Sequence, residues 1–208
     1  MDNCLDNILM GIPEEIANLQ LPDPTLRDHY RDEENRIFWL NDTVERCAED
    51  LIKMIIRCNM EDKGVPTEER KPIKIFIDSP GGDVTFMWSI INMMEMSKTK
   101  IITINYCTAY SAAGEILASG HERWAMPGSN VMIHLGSCVY AGDAANVETT
   151  KKYFDKISKK TIDHLIKRTK IEPKMFKKKT ITDWFLDEDD ALKYGVVDKI
   201  VTDFDEIF

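Results

Sequence analysis

The sequence has no long apolar run and a deficit of basic charge. No hydrophobic stretch in it approaches the roughly 20 residues that cross a membrane, so we expect no membrane partner. The 36 acidic residues outnumber the 27 basic ones, and the formal net charge of −9 argues against nucleic acid as a partner. The opening MDNCLDNILMGIPEE is acidic and does not have the basic start of a secretory signal.

Cysteine is scarce and scattered along the chain. The five positions show no CxxC spacing, and their number is odd: Cys4, Cys47, Cys58, Cys107 and Cys138. A disulfide framework or a zinc site would need paired or clustered cysteines. We therefore expect reduced thiols, a cytoplasmic location and no bound metal.

Two strand–turn–helix units follow each other in the middle of the chain. The apolar strand IKIFI leads into GGDVTFMWSIINMMEM, and KIITINY leads into CTAYSAAGEILASG. This alternation predicts an α/β fold with a parallel sheet. Residues 36–208 are expected to form one domain. Residues 1–35, which are polar and acidic, would be either an N-terminal arm with a short helix near Ile16 or a disordered tail.

A long helix is predicted from about Ala144 to Arg168, and its apolar stripe is thin. Lysines cover much of the remaining surface. A helix of this length with so few apolar positions usually packs against a partner or projects from its own domain. Solvated basic surface explains the lysines more simply than nucleic-acid binding does.

Ser111 lies just after KIITINY, and two interpretations of it are open. Serine is a common helix N-cap, so Ser111 could simply begin the following helix. Alternatively, Ala109 and Ala113 are the small neighbours that allow a nucleophile elbow to tighten and expose its hydroxyl. A serine nucleophile needs a base, which is normally histidine.

Four histidines are candidates for that base. His134 ends the apolar strand NVMI, and a structural role in the sheet is the alternative for it. His29 lies in the acidic segment and His121 lies beside charges in a loop. His164 is on the lysine-rich helix, where we expect an interface or surface role.

The segment DSPGGDV, residues 78–84, follows a buried strand and begins a helix. It is either a plain turn or a loop whose amide N–H groups stabilise negative charge, as in an oxyanion hole. No GxxxxGK[ST] pattern follows it, so it is not a nucleotide-binding loop.

Four blocks of the sequence resemble, in order, signature blocks of the ClpP family, the proteolytic subunits of the ATP-dependent Clp proteases. They are FIDSPGGDV, AYSAAGEILASG, MPGSNVMIH and TDWFLDEDDALKYGVVDKI, within residues 36–202. The resemblance implies a ClpP/crotonase-type spiral of strand–turn–helix units. The helix of residues 144–168 would then be the projecting handle that interleaves two rings.

The resemblance also assigns roles to individual residues. Ser111 would be the nucleophile, His134 its base and Asp183 the orienting acid. The acidic residues at 187–190 lie at a helix start, where capping explains them. The family's oxyanion donors are backbone amides, which fall on Gly82 and Ala112.

The implied function is a serine endopeptidase that hydrolyses unfolded polypeptides inside a ring-shaped chamber through an acyl-enzyme. The family implies a homo-oligomer of two stacked heptameric rings. It also implies an AAA+ unfoldase that consumes the ATP, so this subunit needs no cofactor. In the family, exposed aromatic residues on the strand before SPGG form the docking surface for the unfoldase. In this sequence one of those positions is occupied by Lys74, whereas another keeps an aromatic residue, Phe76. Two alternatives remain: an inactive structural or regulatory ring subunit, and an acyl-CoA enzyme of the related crotonase fold.

Four further positions depart from the family pattern. Cys107 replaces the usual glycine four residues before the serine, and Tyr110 replaces a small residue directly before it. Thr182 and Asn146 stand where the family commonly has an ion pair across the ring interface. These departures indicate a divergent member, such as a phage or accessory copy.

Overall fold

The computed structural model describes residues 24–208, with side chains from residue 28 onward. Two compact units meet in sequence at Asn35 and Arg36. Within the first unit, helix α1 (Pro24–Asn35) is described, and in it His29 Nε2 lies 3.3 Å from Glu33 Oε1. The helix suggested near Ile16 lies outside the described residues.

The second unit, Arg36–Phe208, is a mixed α/β structure, which confirms the predicted fold class. Its strands are β1 (Ile37–Leu40), β2 (Ile73–Ser79), β3 (Ile101–Tyr110), β4 (Glu122–Ala125), β5 (Asn130–Ile133), β6 (Trp184–Asp187) and β7 (Lys199–Ile200). Its helices are α2 (Val44–Glu61), α3 (Val84–Met96), α4 (Ala112–Ser119), α5 (Ala144–Arg168), α6 (Pro173–Lys179) and α7 (Glu188–Lys193).

The sheet is parallel except at one strand. Its main path runs β1-β2-β3-β4-β7, with every neighbouring pair parallel. The first half of β3 pairs with β4, and its last three residues pair with β5. Strand β6 then pairs antiparallel with β5. The carboxyl ends of β2, β3 and β5 therefore converge on one edge, where ligands bind in open α/β sheets.

The alternating side chains of β2 separate two hydrophobic clusters. Ile73, Ile75 and Ile77 are fully buried against helices α2, α3 and α4, in the main core. Phe76 points to the opposite face, in a smaller cluster that includes Trp124. Burial on both faces explains why β2 is a nearly continuous apolar run.

Phe76, which the resemblance places at a docking position, is covered by other aromatic rings. Its ring stacks against Trp39 with centroids 4.8 Å apart and against Phe208 at 6.4 Å, and it is only 4% exposed. Lys74 Nζ lies 4.9 Å from the centre of the Phe208 ring. The C-terminal residue therefore lies over this face of the sheet.

Helix α5 has the predicted bounds and the predicted thin contact with its own domain. Leu165 is the residue buried along it, whereas Tyr153 is 58% exposed. Toward its C-terminal end, Thr161 Oγ1 accepts a hydrogen bond of 3.0 Å from Trp88 Nε1 of α3. No helix within residues 24–208 is long and apolar enough to cross a membrane.

Of the two roles expected for His164, the surface role is wrong. Its side chain is 9% exposed, and Nε2 lies 2.9 Å from Ser119 Oγ of α4. Its Nδ1 lies 3.7 Å from Glu95 Oε1. His164 therefore fastens α5 to α3 and α4.

Candidate active site

Ser111 stands in a strained backbone conformation between β3 and α4. Its φ and ψ are 53° and −122°, and a positive φ is uncommon for a residue other than glycine. Such a conformation costs on the order of 1–3 kcal/mol and persists where its surroundings fix it. Here the Ser111 N–H donates to Met132 O at 2.8 Å, which ties the turn to β5.

Small residues around the turn make this conformation possible. Ala109 and Ala113 are fully buried, as the elbow interpretation requires. Gly81 lies against the same turn with a φ of +99°, and a Cβ built on it would stand 2.6 Å from Tyr110 O and 2.9 Å from Ser111 Cβ. The PGG segment and the serine turn therefore fit together only because position 81 has no side chain.

The Ser111 side chain does not cap helix α4, so the capping interpretation is wrong. It occupies the N-cap position but makes no capping hydrogen bond. Its Oγ lies 2.7 Å from Nε2 of His134 instead. At this distance the two atoms form a short hydrogen bond, and the imidazole is close enough to take the hydroxyl proton as a general base.

Strand β6 brings Asp183 to His134. The register pairs Ile133 with Trp184, so His134 and Asp183 are the next residues across the antiparallel pair. His134 Nδ1 lies 3.3 Å from Asp183 Oδ1, and the Asp183 side chain is 56% exposed. A hydroxyl, an imidazole and a carboxylate now stand in the order that activates a serine nucleophile.

Two acidic residues that follow Asp183 in the sequence, and the loop histidine His121, make hydrogen bonds that support the fold. Asp187 caps α7 by accepting from the Asp190 N–H at 2.8 Å, and Glu188 accepts from the Gly128 N–H at 2.9 Å. His121 Nδ1 accepts from the backbone N–H of Ile101 at 2.8 Å. Capping thus accounts for Asp187, as the sequence indicated.

Gly82 and Ala112 both line the cleft that contains Ser111. Ala112 is the first residue of α4, so its N–H has no acceptor within the helix. Gly82 directly precedes Asp83, the N-cap residue of α3. Hydrogen bonds from Thr85 lower the pKa of the Asp83 carboxyl, which shows that this helix start stabilises negative charge. The two amides therefore belong to helix-start segments on either side of Ser111, where negative charge is favoured.

The cleft is about 400 Å³ in volume and is lined by both polar and apolar side chains. One lining residue, Glu115, was not singled out in the sequence. It lies one turn after Ser111 on α4, and burial raises its pKa to about 8. The available signal was its position as the charged residue in the otherwise small and apolar segment SAAGEILASG.

The divergent positions have partners of their own. The Tyr110 ring packs edge-on against Phe185 of β6, with centroids 5.7 Å apart. Asn146 donates from its backbone N–H and its side chain to Asp143, the N-cap of α5. Lys179 lies over the Trp184 ring, 5.8 Å from its centre. Tyr110 is not among the residues that line the cleft.

Two further observations bear on the chemistry. Within residues 24–208, no three histidine, cysteine or acidic side chains cluster closely enough to hold a metal ion. The family model described as Clp protease matches residues 29–204, which include the β3–α4 turn, His134 and Asp183.

Proposed function

The chain belongs to the Clp protease family, and we propose that it is a serine endopeptidase that hydrolyses unfolded polypeptides with Ser111, His134 and Asp183. One observation carries the proposal. The strained Ser111 presents its Oγ 2.7 Å from His134 Nε2, while Asp183 lies at the other imidazole nitrogen. A serine that merely began a helix would need neither the strain nor the imidazole.

In the first half-reaction, His134 Nε2 accepts the Ser111 proton as Oγ attacks the peptide carbonyl carbon. Asp183 accepts the Nδ1–H of His134, which fixes the tautomer and stabilises the imidazolium. The carbonyl oxygen becomes an oxyanion, to which the amides of Gly82 and Ala112 donate. Removing one such donor in serine proteases costs about 10²–10³ in kcat.

In the second half-reaction, the tetrahedral intermediate collapses and its C–N bond breaks. The His134 imidazolium gives its proton to the leaving amine, and the acyl group stays on Ser111. His134 then takes a proton from water, which attacks the ester carbonyl. Collapse of that intermediate releases the carboxyl product and returns the proton to Ser111.

We further propose a homo-oligomer of two stacked heptameric rings that encloses the sites. The support is α5, which has a thin apolar stripe and an exposed Tyr153 within the family's handle. Folded substrates would be supplied by an AAA+ unfoldase, which uses the ATP. The proposed chemistry itself uses no cofactor on this chain.

A fluorophosphonate probe tests the peptidase proposal, because it reacts with an activated serine and not with a capping one. We expect it to label Ser111 in the wild-type protein, and we expect Ser111→Ala to remove both labelling and peptide hydrolysis. Absence of labelling in the folded wild type would favour an inactive ring subunit, and binding of acyl-CoA would favour a crotonase-type enzyme.

A further inference from the structure

Glu115 has a carboxylate oxygen that is buried and unpartnered. Its Oε2 has almost no solvent-accessible surface and receives no hydrogen bond from any described residue. The residue as a whole is half-buried, and it lines the cleft that contains Ser111. Buried polar atoms without partners are rare in native structures, and each needs an explanation.

Among the described residues that line the cleft, none offers Glu115 a permanently charged side chain of positive sign. The lining residues include no lysine or arginine, and the other ionisable groups among them are Asp83, His134 and Cys138. Asp83 already accepts hydrogen bonds from the N–H groups of Thr85 and Phe86. The remaining wall carries the hydroxyl groups of Ser137, Ser158 and Thr161 beside apolar side chains that include Met87, Ile133, Ile157, Ile162, Leu165 and Phe176.

An unpaired carboxylate in such a place is costly. Burial without a partner disfavours the charged form, which is why the pKa of Glu115 rises to about 8. An apolar residue of similar size would suit these walls better if packing were the only requirement. The cost would be recovered if a cation entered the cleft and paired with the carboxylate.

We propose that Glu115 is a specificity-determining residue and that the cleft accepts a lysine or arginine side chain of the substrate. This side chain would belong to the residue whose carbonyl Ser111 attacks. The inference rests on the proposed peptidase function, because it takes Ser111 as the point at which the substrate is held.

The position of Glu115 on α4 supports this assignment. It lies four residues beyond Ser111, about 6 Å along the helix axis, and helical side chains lean back toward the N-terminus. The backbone N–H of Glu115 donates a hydrogen bond to the carbonyl oxygen of Ser111, with 3.3 Å between N and O, and this bond closes the first helical turn between the two residues. The aliphatic stem of a lysine or arginine would contact the apolar walls, and its charged head would pair with the carboxylate.

The test compares fluorogenic peptides that differ only at this residue, which is either lysine or the uncharged norleucine. We expect the wild type to favour lysine in kcat/KM by at least about 10-fold, since sites that pair with a substrate group discriminate strongly against its absence. In Glu115→Gln the ratio should fall to about 1 or below. Glu49→Gln, on the exposed surface of α2, should keep the wild-type ratio. A wild type that favours norleucine, or a ratio unchanged in Glu115→Gln, would overturn the proposal.

A second measurement does not depend on catalysis. n-Butylguanidinium should raise the melting temperature of the wild type more than n-butanol does, and Glu115→Gln should lose this difference. Equal stabilisation of both proteins by the guanidinium would count against the site. If fluorophosphonate labelling fails while the guanidinium effect depends on Glu115, the peptidase proposal fails and the cation site stands.

Discussion

His134 and Asp183 lie opposite each other across the antiparallel pair of β5 and β6, with Nδ1 and Oδ1 3.3 Å apart. Asp183 immediately precedes β6 and His134 immediately follows β5, so both side chains stand just beyond the ends of the paired strands. The pairing of Ile133 with Trp184 therefore sets the geometry of the proposed triad. A shift of one residue in this register would turn Asp183 to the other side of the strand.

Asp183→Asn should lower kcat by several orders of magnitude, on the pattern of roughly 10⁴-fold for the equivalent change in serine proteases. The amide can no longer hold the imidazole in the required tautomer. Peptide hydrolysis measures the effect, and Asp187→Asn is the matched control because asparagine also caps a helix. A larger loss in Asp187→Asn than in Asp183→Asn would move the role to Asp187.

Ser111→Gly should be more stable than Ser111→Ala, by about 1 kcal/mol, although both variants should be inactive. Alanine keeps the penalty of a positive φ, whereas glycine adopts it freely. Urea unfolding at one protein concentration measures the difference. An alanine variant at least as stable as the glycine variant would mean that the strain at position 111 is absent.

Gly81→Ala should lose both stability and activity, and more of each than Gly128→Ala. Both glycines have positive φ, but a Cβ at Gly128 would meet nothing within 4 Å, whereas one at Gly81 would collide with the Ser111 turn. The free energy of unfolding should therefore fall by about 1–3 kcal/mol more in Gly81→Ala than in Gly128→Ala, which is the usual cost of overpacking. This difference measures the clash apart from the penalty of a positive φ. Equal losses in the two variants would contradict it.

Glu115 should make the stability of the wild type fall as pH rises from about 4.5 to about 8. The folded state keeps the Glu115 proton in this window, whereas the unfolded state has released it, so rising pH favours unfolding by up to about 1.4 kcal/mol per pH unit. Asp83, His134 and Cys138 line the same cleft and are common to wild type and Glu115→Gln. The difference between the two unfolding curves therefore reports Glu115, and parallel curves would rule the effect out.

Ring stacking should depend weakly on salt. Salt weakens interactions between charged side chains, and Thr182 and Asn146 carry no charge. Stacking of the rings would therefore rest on apolar and backbone contacts along α5. Sedimentation velocity across a salt series measures this. A monomer at micromolar concentration would refute the ring assembly, and dissociation by moderate salt would refute the apolar stacking.

Much of the fold could be predicted because its signals are local. The bounds of α5 were correct, since helical spacing continues from the Asp143 cap to Arg168. Strand β6 was missed, because four residues of alternating burial are too few to give a clear period. The pairing of β6 with β5 is decided by contacts about 50 residues apart in the chain.

The candidate active site also has parts that could be predicted from the sequence and one part that could not. The small residues around Ser111 could be recognised from the sequence, and the order of the four blocks identified the family. The significance of Glu115 could not be recognised, because it depends on a cleft whose other wall is formed by Ile157, Ile162 and Leu165 of α5, far along the chain. The sequence signal for Glu115 was only its charge within the otherwise small and apolar segment SAAGEILASG, and that charge does not show that Oε2 is enclosed.

The order of these elements along the chain has a consequence for synthesis. A growing polypeptide contains Ser111 and His134 well before it contains Asp183, and β6 must pair with β5 before the carboxylate reaches the imidazole. Domains generally fold as units during synthesis, so the unit of residues 36–208 completes its fold only after β6 is available. A nascent chain on the ribosome therefore lacks the complete proposed triad until Asp183 has emerged and β6 has paired with β5.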